Sequence, residues 1–121
     1  MKFSCSQQAL AKAFNVVSKA ITSRTTIPIL KGILLQVSAD GVLTMSASDL
    51  NLTIEKKMDV EETEAGEVVV QAKLFGDIIR KLPSSTVHVS EEHDNLLIHC
   101  ANSEFHILGF HADEFPTIKA T

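Results

Sequence analysis

Lys12, Lys19, Lys73 and Arg80 have the chemistry and the spacing to present cations from two helices to the phosphates of a polyanion. At about 100° per residue, Leu10, Phe14, Val17 and Ile21 cluster on one face of a first helix, and Gln8, Lys12, Asn15 and Lys19 fall on the opposite side. In a second helix Leu74, Phe75, Ile78, Ile79 and Leu82 share a broad apolar arc, with Lys73 and Arg80, one heptad apart, facing away from its centre. No acidic residue occurs from Ser6 to Arg24, and the second helix carries only Asp77. The remaining acids fall in strand and turn patterns, so two basic ridges stand on a body of net charge −4. That balance excludes a strongly basic nucleic-acid binder. It fits a weak, local, sequence-independent phosphate surface, because screening limits its reach to about 8 Å at physiological salt.

A second chemistry requires weighing. Asp49, His88, His99 and Cys100 contain the side chains of an acid–base and nucleophile set, and a helix on an antiparallel sheet also suits an acyl-thioester hydrolase. Nothing in their spacing singles them out. His88, His93, His99, His106 and His111 lack a metal-ligand motif, so no metal and no cofactor is expected. Cys5 and Cys100 are expected to be reduced thiols. Trp and Tyr are absent and the six Phe occupy mostly core-like positions, which leaves no aromatic platform for stacking single-stranded bases. A non-catalytic protein interaction module is the other alternative.

The elements that would position these groups follow from the pattern. At 121 residues and 45% hydrophobic, the chain can bury around two-thirds of its unfolded surface as one domain. Lys2 to Cys5 reads as a strand and Ser6 as the N-cap of a helix running to about Ala20. Gly32 to Ser38 and Val42 to Ser48 flank Asp40-Gly41, a hairpin signal, and Leu52 to Val60 alternates as a third strand. The order then restarts: strand Glu67 to Gln71, helix Lys73 to Leu82 stopped by Pro83, and strands Thr86 to Ser90, Leu96 to Ala101 and Glu104 to Phe110. The chain therefore reads as α+β, two β-α-β-β-β repeats of about 1–61 and 62–121, with both helices packed on antiparallel sheets. On the last strand Phe105 and Ile107 alternate with Glu104, His106 and Leu108, which makes this strand a candidate protein interface. No run approaches the roughly 20 apolar residues of a membrane span, and a cytoplasmic location is expected.

Pattern becomes identity in Arg24-Thr25-Thr26-Ile27-Pro28-Ile29-Leu30-Lys31-Gly32-Ile33-Leu34-Leu35. With Met1-Lys2-Phe3, Ala47-Ser48-Asp49-Leu50, Ala72-Lys73-Leu74-Phe75, Ile78-Ile79-Arg80-Lys81-Leu82-Pro83 and Asp113-Glu114-Phe115-Pro116, in that order, this segment resembles the first domain of the bacterial DNA polymerase III β subunits, the sliding clamps. The resemblance covers essentially the whole chain. It implies a non-catalytic fragment of a three-domain protein that forms a head-to-tail dimeric ring around duplex DNA and tethers the replicative polymerase. Polymerase and clamp loader would bind through domains absent here. The resemblance also implies that Lys12, Lys19, Arg24, Lys73 and Arg80 face DNA. Phe105 and Ile107 would meet the third domain of a second clamp subunit. Asn102 and Glu104 stand where a relative can be basic.

Overall fold

A computed structural model describes residues 1–21, 32–48 and 52–110. Its elements are β1 (Lys2–Ser6), α1 (Gln7–Val17), a 3-10 turn (Ser18–Ala20), β2 (Gly32–Val37), β3 (Val42–Ser48), β4 (Thr53–Asp59), β5 (Glu61–Glu64), β6 (Gly66–Gln71), α2 (Ala72–Lys81), β7 (Thr86–Glu92), β8 (Asn95–Cys100) and β9 (Ser103–Leu108). They form a five-stranded sheet in the order β5-β1-β7-β8-β9 and a four-stranded sheet in the order β4-β3-β2-β6. All pairings are antiparallel. The strand at the head of each half crosses over: β1 pairs with β7 of the second half, and β6 pairs with β2 of the first. Each sheet is thereby completed by the other half, and neither half closes its hydrogen bonding alone.

One core joins the layers. Leu10, Phe14 and Val17 of α1 and Phe75 and Ile79 of α2 are buried with Ile33, Leu35, Leu43 and Met45 of the smaller sheet and Phe3, Val89, Leu96 and Ile98 of the larger. Alternation selects these residues along each strand, because successive side chains point to opposite faces. α1 packs over β3 and β4, and α2 over β2 and β6.

Two local features differ from the sequence reading, the strand β5 and the end of β9. β5 is an added strand whose residues Glu61-Glu62-Thr63-Glu64 show no apolar alternation; backbone pairing to β1 forms it, and Ser4 Oγ donates to Glu62 Oε1 at 2.7 Å. The β2–β3 hairpin closes, as the Asp40-Gly41 signal predicts, through residues 39–41 with Gly41 at positive φ, +85°. Beyond β9 the chain crosses to the other sheet, where Phe110 and Val69 exchange backbone bonds of 2.7 and 3.1 Å along the outer edge of β6. Gly109 makes the crossing. A Cβ there would lie 2.5 Å from the Asp94 carbonyl oxygen and 2.8 Å from that of Val69, so only glycine fits without displacing backbone.

Candidate nucleic-acid interface

The helices meet along their sides. Gln7 at the start of α1 donates from its buried Nε2 to the Ile79 carbonyl near the end of α2 at 2.8 Å. Further along α1, Phe14 meets Phe75 with ring centroids 5.7 Å apart, tilted by 59°. The two helices therefore run antiparallel. Their approach depends on Gly76, where a Cβ would sit 2.5 Å from the Phe14 ring. The Ser6 hydroxyl accepts the Ala9 amide at 3.1 Å and starts α1, as its sequence predicts.

This pair carries the cations outward. Gln8, Lys12, Asn15 and Lys19 are exposed, opposite buried Leu10, Phe14 and Val17; Lys73 and Arg80 are exposed opposite buried Phe75, Ile78 and Ile79. Arg80 differs from the lysines. Its guanidinium lies 5.8 Å from the Phe14 ring centroid and 3.5 Å from the Asp77 carboxylate, so it bridges from α2 to α1. Arg24 lies outside the described residues. Leu74, placed in the apolar arc by periodicity, is 42% exposed, because α2 buries the narrower stripe centred on Phe75, Ile78 and Ile79.

On β9 the alternation holds, and it turns the candidate interface residues inward: Ile107 is 2% exposed and joins the core, and Phe105 is half-buried against it. Leu108, on the opposite face, is 78% exposed. β9 ends the five-stranded sheet, and its outer edge has no partner strand among the described residues.

Among the described residues of the enzyme set, the histidines and the thiol are separated by the sheet. His99 and Cys100 are neighbours on β8 and so point to opposite faces; Cys100 is wholly buried, its Sγ 3.5 Å from the Pro83 carbonyl, while His99 is exposed. Asp49 lies outside the described residues. Val87 separates Cys5 from Cys100 in the register, which puts them two strand spacings apart, about 9.6 Å, beyond the reach of a disulfide. Burial pushes the Cys5 thiol up to about 11.

A row of titratable groups that linear spacing concealed crosses the outer face of the larger sheet. His88 and His99 are register partners with rings 6.3 Å apart, His99 pairs with Glu104, Glu62 lies 3.5 Å from His88, and Glu104 lies 3.2 Å from His106. Strand pairing brings His88, His99 and Glu104 together. Among the described residues no three His, Cys, Asp or Glu converge as metal ligands.

With this geometry established, comparison with known proteins decides the family. Residues 1–119 match the family model of the DNA polymerase III beta subunit, N-terminal domain. The chain belongs to that family. It is 38% identical over 125 residues to the beta sliding clamp of Bacillus subtilis, a match covering 96% of this chain and 33% of the relative, and 32% identical over 126 residues to that of Synechocystis, covering 98% and 32%. Among solved structures it is similar to the DNA polymerase sliding clamp of Bacillus subtilis, with TM-score 0.90 and 34% identity over 98% of this chain and 33% of that one. The Caulobacter crescentus pol III beta structure gives TM-score 0.91 at 32% identity, over 99% and 32%. The chain spans about a third of the length of these relatives. The α+β clamp-domain architecture of two helices and two antiparallel sheets is therefore the family's. Relatives named as clamps favour neither the hydrolase nor a generic interaction module. No described helix is long and apolar enough to cross a membrane.

Proposed function

We propose that this chain serves as the N-terminal domain of a processivity clamp, contributing one arc of a ring around duplex DNA that tethers a replicative polymerase. The observation that carries this reading is the α1–α2 pair, two antiparallel helices whose buried sides share one core and whose exposed sides, with the 3-10 turn that continues α1, carry Lys12, Lys19, Lys73 and Arg80. Arg24 is assigned to the same surface by its place in the family motif. Contacts of this type engage phosphates and leave base edges unread, and weak individual contacts let a closed ring slide.

The remaining assignments complete the ring. The outer edge of β9, which has no partner strand among the described residues, with Phe105 half-buried and Ile107 buried on this strand, is the surface for a second clamp subunit, since such an edge offers a row of backbone donors and acceptors. Further clamp domains would follow this one, and polymerase and clamp loader would engage those. The reciprocal exchange of β1 and β6 supports reading residues 1–61 and 62–121 as two versions of one unit. The function is cytoplasmic, non-catalytic and cofactor-free.

Titration of this chain with labelled duplexes of unrelated sequence tests the reading. Binding is expected at or below the weak end of the nonspecific range of about 10⁻⁴ to 10⁻⁶ M, equal for all sequences, and lost on Lys12→Glu, Lys19→Glu and Lys73→Glu together. Tight, sequence-selective binding at physiological salt would overturn it.

A further inference from the structure

Lys73, Asp77 and Arg80 are spaced i, i+4, i+7 and so lie within about 60° of one another around α2. Asp77 is the only acidic residue on either helix, and of the three cations of the second helix, Lys73, Arg80 and Lys81, it stands between the two that share its stripe, Lys73 and Arg80. Its carboxylate is 46% exposed and lies 3.5 Å from the Arg80 guanidinium, itself 56% exposed. An ion pair this open adds little to stability. The same charge matters more to an approaching polyanion, because a phosphate that reaches Lys73 and Arg80 must also face Asp77. The Phe14 ring centroid is a further 5.8 Å neighbour of the guanidinium, so the head of Arg80 already has two partners.

We propose that Asp77 is a counter-charge built into the phosphate-facing surface, which holds the Arg80 guanidinium back from full engagement and repels phosphate directly, thereby weakening the domain's grip on duplex DNA. The assignment rests on the clamp-domain reading. A sliding surface needs attraction without capture, and an acid placed inside a cationic stripe lowers affinity without removing the cations that give the surface its sign.

The test compares the salt dependence of duplex binding by the wild-type chain, Asp77→Asn, Asp77→Glu, Asp77→Asn with Arg80→Gln, and a triple variant in which Lys12, Lys19 and Lys73 become Gln. Fluorescence anisotropy with a labelled duplex reads affinity, and far-UV circular dichroism checks folding. D77N is expected to bind about three- to tenfold tighter at low salt, with a slope of log K against log salt steeper by about 0.9, the signature of one additional phosphate contact. D77E should match wild type, since it retains the charge. Adding R80Q should abolish the steeper slope and leave only the smaller gain from lost repulsion. A folded D77N that binds no tighter than wild type, while the triple lysine variant binds more weakly, overturns the proposal and leaves the clamp reading intact. A triple variant that binds as wild type does overturns both. Should D77N lose helicity, Asp77→Gln carries the same expectations.

Discussion

Helix α1 begins on a serine whose hydroxyl accepts the Ala9 amide and carries no acid, whereas α2 begins on Gln71, whose side chain caps nothing, and carries Asp77 beside Arg80. Both expose cations opposite their buried stripes but are held by different means. The first turn of α1 has its Ala9 amide capped locally by Ser6, and its Gln7 amide donates to the Ser85 carbonyl at 3.0 Å. α2 depends on its neighbour, with the Ile79 carbonyl accepting from Gln7, Gly76 admitting the Phe14 ring and Arg80 resting over that ring. The helix pair is therefore one packed unit in which α1 is the template on which α2 rests. Phe14 is its central contact, touching the backbone, an aromatic ring and a cation of α2 at once.

Loss of that contact should have the largest effect on the helix pair. Phe14 is 3% exposed, and Phe14→Ala is expected to cost about 3–5 kcal/mol, a large share of a stability of about 5–15 kcal/mol, read as a lowered midpoint in urea denaturation. A loss below about 1 kcal/mol would show that the sheet alone holds α2 and that α1 is no template. A smaller effect addresses α1 itself. Ser6→Ala removes the acceptor for the Ala9 amide and should cost about 1 kcal/mol in the same measurement, with the slope in denaturant unchanged because the exposed surface stays the same.

Much of the helix surface was legible from residue types because helical periodicity is local. The side chains four and seven positions apart that define the exposed stripes need no tertiary information, and Lys12, Lys19, Lys73 and Arg80 all emerge where periodicity puts them. Leu74 shows the limit: a hydrophobic wheel gives the width of an apolar arc, but only the neighbour's shape decides how much of it is covered. β5 was invisible because it forms through backbone pairing to β1, with no apolar pattern to reveal it. The His88–His99–Glu104 row was hidden for a related reason, since its members are brought together by strand register across three strands, and register is a property of the assembled sheet. The engagement of Arg80 by Phe14 joins residues 66 positions apart in sequence, and periodicity within either helix carries no trace of it.

The finest test of the comparison gives α2 what α1 already has. Gln71 has φ −65° and ψ 121°, the extended backbone of an N-cap, is exposed, and makes no side-chain cap bond. Gln71→Asp would place a carboxylate where it can accept an amide of the first turn of α2, satisfying one of the orphan donors and favouring the positive end of the helix dipole. A gain of about 0.5–1 kcal/mol is expected, seen as a higher denaturation midpoint and as slower amide hydrogen exchange in the first turn of α2. That gain should persist in the Phe14→Ala background, because capping acts at the helix start and does not pass through the aromatic contact. If the gain disappears there, α2 has no stability of its own to improve, and its dependence on α1 is deeper than its missing cap.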